Sequence, residues 1–217
     1  VAVDFYEDIF SPTITAKIRV INTGDSMAPK DKTDSSKSDG EKQSIYGGLP
    51  LRGGERVLLK ILDRGKSYNG EDKKGLDFSL DPMEYLYVSS VSDVISETQR
   101  ESFLLNLVSR EAITNETTRV VRKYKGPIST SVEKILKDIL KVDESRIKFD
   151  ATSNKYNFIG NLKKPFSVIV WLASKSVPKK SGDKTAGFLF YQTQDGFQFR
   201  SIDEMIEQES VATYVYS

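Results

Sequence analysis

Residues 164–203 read KPFSVIVWLASKSVPKKSGDKTAGFLFYQTQDGFQFRSID, and this stretch decides the fold of the second half of the chain. Pro165 suits the first turn of a helix, where its missing N–H removes no bond, and Phe166, Ile169, Val170 and Ala173 then recur on one helical face. That helix should stop before Pro178. Beyond a polar loop, Phe188 and Phe190 alternate with other residues, Asp195-Gly196 supplies a tight turn, and Phe197 and Phe199 alternate on the return strand. Ser201, with Glu204 three residues later, reads as a capping box that opens a short helix. The pattern is helix, hairpin, helix around one apolar centre. It predicts that at least two of the four Phe rings pack on the helix that carries Trp171, as a core and not as a platform for nucleic-acid bases.

Working outward, Thr130 with Glu133 makes a second capping box, and Val132, Ile135, Leu136, Ile139 and Leu140 form an uninterrupted helical stripe. Burial of such side chains contributes about 1.5 to 3 kcal/mol each as an upper bound. Ile147, Phe149, Tyr156, Phe158 and Ile159 suggest short strands. Upstream, SREAITNETTRVVRKYKG loses any period of two and reads as a connector, with Arg119, Arg122, Lys123 and Lys125 forming a basic, solvated face.

The first half is β-rich. Ile14, Ala16, Ile18 and Val20 alternate with Thr15, Lys17 and Arg19, and VDFYEDIF is a partner strand turned by Ser11-Pro12. Around Val57, Leu59 and Ile61 both faces are apolar, which predicts a strand covered on both sides. Leu76, Phe78 and Leu80 alternate next, then Tyr85 and Tyr87 with Val88 to Val94, then Phe103, Leu105 and Leu107. So many strands argue for a closed or strongly curled antiparallel sheet, since an open one leaves hazardous edges. Between them, residues 24–48 are rich in Ser, Lys and Asp and cannot bury enough apolar surface to offset their ordering entropy alone.

The expected fold class is therefore α+β: an antiparallel β-barrel or sandwich over residues 1–110, a connector over 111–126, and a smaller mixed α/β domain over 127–217. Lys plus Arg total 32 against 31 for Asp plus Glu, so the overall field steers the chain toward neither nucleic acid nor an anionic membrane. No apolar run approaches the roughly 18 to 20 residues of a membrane helix. Cysteine and histidine are both absent, which removes thiolate nucleophiles, the usual general base near neutral pH and the commonest transition-metal ligands.

Several local motifs fail on spacing. Gly65-Lys66-Ser67 is the tail of a phosphate-binding loop, but Lys60 stands where the first glycine belongs. Gly47, Gly48, Gly53 and Gly54 lack the dinucleotide spacing and read as turns. Asn115-Glu116-Thr117 matches a glycosylation acceptor. The pairs Asp143 with Glu144 and Asp203 with Glu204 read as solvated surface. No catalytic residue, cofactor site or metal site is expected.

The order of β-rich half, basic connector, STSVEKILKDIL, PFSVIVWLASKSV and GFLFYQTQDGFQFRSI resembles the baseplate hub proteins of contractile-tailed phages, the T-even-like hub family. It also resembles the related hub region of type VI secretion spike proteins. YEDIFSPTITAKIRV and GGLPLRGGERVLLKI look like tail structural proteins of large phages. The resemblance implies a non-enzymatic homotrimer whose tube-like first domain stacks on the tail tube protein, while the mixed hub domain holds a central spike protein among other baseplate proteins. It implies a virion location in the tail baseplate, assembly in the host cytoplasm, and neither membrane nor sequence-specific nucleic-acid partners. Family hubs carry two tube-like domains per chain, whereas one is visible here, and the strand-like ending from Val211 to Tyr216 reads as that of an incomplete chain. The resemblance also marks residues 24–48 as a subunit-interface loop, with Met27, Lys30, Lys32, Lys37 and Tyr46 as its contact residues.

Overall fold

The computed structural model describes residues 1–22, 45–49, 51–61, 76–77, 85–97, 100–180 and 187–209. The chain divides into two compact units: Val1–Tyr6 with Thr15–Arg110, and Glu7–Ile14 with Glu111–Ser217. The fold is mixed α+β, with a curled antiparallel sheet in the first unit.

That unit opens with β1 (Ala2–Tyr6) and β2 (Thr15–Asn22), an antiparallel pair in which Tyr6 faces Thr15 and Ala2 faces Arg19. A short helix, α1 (Ile45–Gly48), precedes β3 (Arg56–Val57), β4 (Lys60–Ile61), β5 (Leu76–Asp77), β6 (Leu86–Glu97) and β7 (Arg100–Val108). Five strands join in the order β1-β2-β7-β6-β3, and β4 pairs with β5 separately. Alternation does the sorting: Ala16, Ile18, Leu86, Val88, Phe103 and Leu107 are buried while Lys17, Arg19 and Ser90 stay exposed. Register shifts in β6, between Val88 and Ser90 and between Ser92 and Ile95, bulge the strand and increase the local twist.

The run around Val57 differs from the expectation of one doubly covered strand. It breaks at Leu58 and Leu59, so that β3 pairs with β6 and β4 with β5; Leu59 is buried, but Leu58 is 56% exposed. A lone surface leucine is ordinary, so apolar character on both faces was no measure of burial. Phe78 and Leu80 lie outside the described residues, as do Gly65, Lys66 and Ser67 and the segment from Val211 to Tyr216. Gly53 and Gly54 form a turn with positive φ (100° and 88°), closed by Glu55 accepting from the Arg52 and Gly53 amides at 2.7 and 2.9 Å.

The second unit contains α2 (Arg110–Thr117) from its second residue on, β8 (Lys123–Tyr124), α3 (Ile128–Lys134), β9 (Ile147–Phe149), β10 (Phe158–Ile159), α4 (Pro165–Ala173), β11 (Phe188–Thr193), β12 (Gly196–Ser201) and α5 (Ile202–Ile206). The hairpin is as expected: Phe190 faces Phe199 and Gln192 faces Phe197 across β11 and β12, and β9 adds in parallel on the far side of β12. All four hairpin rings are buried. The Phe166 ring on α4 lies 5.7 Å from Phe190 and 5.8 Å from Phe197, so the hairpin packs on the Trp171 helix through Phe166. Base stacking by these rings is thereby excluded. Ser201 caps α5, accepting from the Glu204 amide at 3.4 Å.

Of the predicted stripe, Val132, Ile135, Leu136 and Leu140 are buried and Ile139 is partly buried, and the helix α3 runs on as a π turn over Ile135–Ile139 before Lys141, at φ 56°, ends it. Its start differs. The helix begins at Ile128 behind Pro127, with Thr130 inside it, because the Thr152 hydroxyl accepts from the Ser129 amide at 3.0 Å and caps the helix from a distant loop. The buried arc of α4 also differs: Phe166, Ile169 and Ala173 are buried together with Val168 and Leu172, while Val170 is 48% exposed. A helix apolar nearly all round leaves its buried arc undetermined by periodicity. Glu111 and Arg146, both buried, form an ion pair at 3.1 Å beneath α2.

Candidate interaction surface

The candidate site lies on the outer side of α4, within the second unit. Pro165 starts the helix but Lys164 before it provides no side-chain cap, which leaves the first amides without partners. Asn115 supplies the missing acceptor from α2: its Oδ1 takes the Phe166 amide at 2.8 Å. That bond explains why Asn115 is buried, and it removes the residue from any glycosylation role. Beside it, Glu116 accepts from Asn115 Nδ2 at 3.2 Å and pairs with Lys164. The Lys164 hydrogen bond holds the Glu116 carboxyl below its ordinary range, so the ion pair persists into mildly acidic solution.

These contacts fix α2 against the start of α4 and leave a groove of about 630 Å³, walled by Pro12, Thr13, Ala112, Glu116, Val170 and Trp171. Its lining is mainly apolar. Trp171, 38% exposed, is held edge-on by Tyr156 at 5.4 Å and Phe158 at 5.7 Å, and the Lys175 ammonium lies 5.6 Å from its ring centre. Half-exposed aromatic rings of this kind are enriched at protein interfaces, where aromatic anchors carry much of the energy.

Of the residues expected at a subunit interface, Met27, Lys30, Lys32 and Lys37 lie outside the described residues. Tyr46 is in α1, where its amide donates to Glu101 at 3.2 Å and its ring sits 5.7 Å from Phe103, leaving it 36% exposed. In the basic segment, Arg119 donates to the carbonyls of Glu116 and Thr118, and Arg122 approaches Asp138 at 3.6 Å. Asp143 caps a turn through Ser145, and Glu144 pairs with Lys137 at 3.1 Å. Glu204 departs from the solvated reading: its side chain is largely buried, 3.7 Å from Lys180, because α5 folds onto the hairpin. Among the described residues, no group of three acidic side chains is placed to hold a metal ion.

No protein-family model matches the sequence, and no curated relative is found for it. The solved structures are more informative. The 43 kDa tail protein of prophage MuSo2 from Shewanella oneidensis superposes with a TM-score of 0.55 over 91% of this chain, at 7% identity. The fold is that of a prophage tail protein. This chain spans about half of that protein, covering 49% of it. The E. coli c3393 protein, a type VI secretion component with structural similarity to the T4 tail proteins gp27 and gp5, superposes at 0.49, with 12% identity over 92% of this chain and 46% of its own; at that score it adds nothing to the assignment.

Sequence reasoning missed Asn115 and Thr152, side chains that cap helices from elsewhere. One signal was present: Pro127 and Pro165 each open a helix with no Ser, Thr, Asp or Asn just before it, so each helix needed an acceptor from outside.

Proposed function

We propose that the chain is a structural component of a phage-like tail baseplate hub, forming a homotrimeric ring that joins a tail tube protein to a central spike protein in the virion. The observation that carries this reading is the likeness of fold to a prophage tail protein across nine-tenths of the chain. It is supported by the resemblance of the segments STSVEKILKDIL and GFLFYQTQDGFQFRSI to hub proteins, and by the half-exposed Trp171 groove, which fits contact with other baseplate proteins. In this reading residues 1–110 are the tube-like domain, 111–126 the connector and 127–217 the hub domain, with assembly in the host cytoplasm and no enzymatic step. Residues 24–48 act as the subunit-interface loop through Met27, Lys30, Lys32, Lys37 and Tyr46, since a polar segment that gains its contacts from a neighbour adds interface without enlarging the sheet.

Electron microscopy of the purified protein tests this. Rings with threefold symmetry are expected, and deletion of residues 27–43 should leave circular dichroism unchanged while the rings are lost. Rings that persist at the same protein concentration after the deletion would remove the loop from the interface. The groove beside Trp171 also favours a second reading, a stand-alone module that binds a small apolar ligand. Isolated monomers whose Trp171 fluorescence shifts on adding such a ligand would favour that reading over the hub.

A further inference from the structure

Strand β8 is paired with β10 along one edge and, among the described residues, open along the other. The Gly160 amide donates to the Arg122 carbonyl at 3.2 Å and the Tyr156 amide to the Gly126 carbonyl at 2.9 Å, with Tyr124 opposite Phe158 between them. Ladder bonds alternate along an antiparallel strand, so residues 122, 124 and 126 aim their backbone groups at β10. Lys123 and Lys125 aim theirs the other way. No second strand flanks β8 among the described residues.

The same strand lines a cavity of about 430 Å³, to which Arg122 to Lys125 contribute together with Ser131, Lys134 and Asp138 of α3 and its π turn. Lys123, Lys125 and Lys134 are exposed, and Asp138, the one carboxylate in the lining, already faces Arg122. The edge that no described strand covers is therefore flanked by a positive field. A free strand edge is a template for another strand, and lysines along it reject indiscriminate apolar pairing while favouring an acidic chain.

We propose that this edge receives an extended acidic segment of a partner protein, which adds to β8 as a third strand and sets its carboxylates among Lys123, Lys125 and Lys134. The inference goes beyond the assembly reading and does not rest on it. A peptide matches the site better than a nucleic acid does. The open rungs are amides and carbonyls, and Tyr124, the aromatic ring of this lining, is buried against Phe158 and unable to stack on a base.

The test uses the whole chain, isotope-labelled, and a synthetic peptide of about eight residues that alternates Glu and Val. Binding should slow exchange of the Lys123 and Lys125 amides about tenfold or more while leaving the Tyr124 amide, which already faces β10, nearly unchanged. Lys123→Glu and Lys134→Glu should each weaken binding about tenfold, and added salt should weaken it further. Absence of binding, or binding that leaves the Lys123 and Lys125 amides unprotected in the unsubstituted protein, would overturn the proposal. So would a single-stranded oligonucleotide that binds the same surface more tightly than the peptide.

Discussion

The hairpin of β11 and β12 and the pair formed by β8 and β10 are two solutions to the same local problem. Each is a short antiparallel piece of the second unit with aromatic rings turned inward: Phe190 stacks on Phe197 at 5.7 Å, and Tyr124 on Phe158 at 5.0 Å. They differ at their edges. The hairpin has six paired positions and a parallel neighbour, β9, along β12, whereas β8 has two paired positions and a lysine-lined edge that no described strand covers. Burial of rings makes both stable, and edge coverage separates core from contact surface.

The largest effect should come from the hairpin. Phe197→Ala removes a fully buried ring that touches both Phe166 and Phe190, and should lower unfolding stability by about 3 to 5 kcal/mol in urea titrations. A loss below about 1 kcal/mol would mean that the hairpin is not the centre of the unit. A smaller effect is expected at the other pair. A Cβ at Gly160 would lie 2.2 Å from the Val120 carbonyl oxygen, so Gly160→Ala must push the chain after β10 off residue 120, costing about 1 to 3 kcal/mol. Faster hydrogen exchange at Tyr124, with the hairpin amides unchanged, would confirm that the two regions respond separately.

The smallest effect compares one tyrosine from each region. Burial pushes the phenol of Tyr124 on β8 and that of Tyr191 on β11 above the ordinary value of 10.0. A folded-state pKa raised above the unfolded one gives stability that is complete below the unfolded pKa and is lost as pH rises through the folded pKa. Alkaline destabilisation should therefore begin above about pH 10, and Tyr124→Phe or Tyr191→Phe should each flatten it in thermal unfolding scans. Equal slopes in the parent protein and both variants would contradict the assignment.

The legible parts of this fold were those specified by neighbours in sequence. Alternation gave the four hairpin rings, Pro165 the start of α4, and Ser201 with Glu204 the start of α5. The start of α3 was misread because its cap, Thr152, lies 23 residues beyond Ser129, and no local pattern encodes a distant acceptor. The exposure of Val170 was hidden by a helix apolar on nearly every side. At the candidate surfaces, Trp171 and the lysines around β8 were visible as residues, but a strand of two residues has no periodicity to reveal which edge is open. Tyr46 was visible as well, and its seat on Phe103 depends on a sheet contact 57 positions away in sequence number, from 46 to 103.

The central claim is that this chain assembles with itself around a tail axis, and native mass spectrometry of the purified chain tests it most directly. The account predicts a dominant species of three chains that dissociates on dilution to one, without intermediate ladders. A monomer at every concentration, or an open series of growing oligomers, would contradict a closed threefold ring.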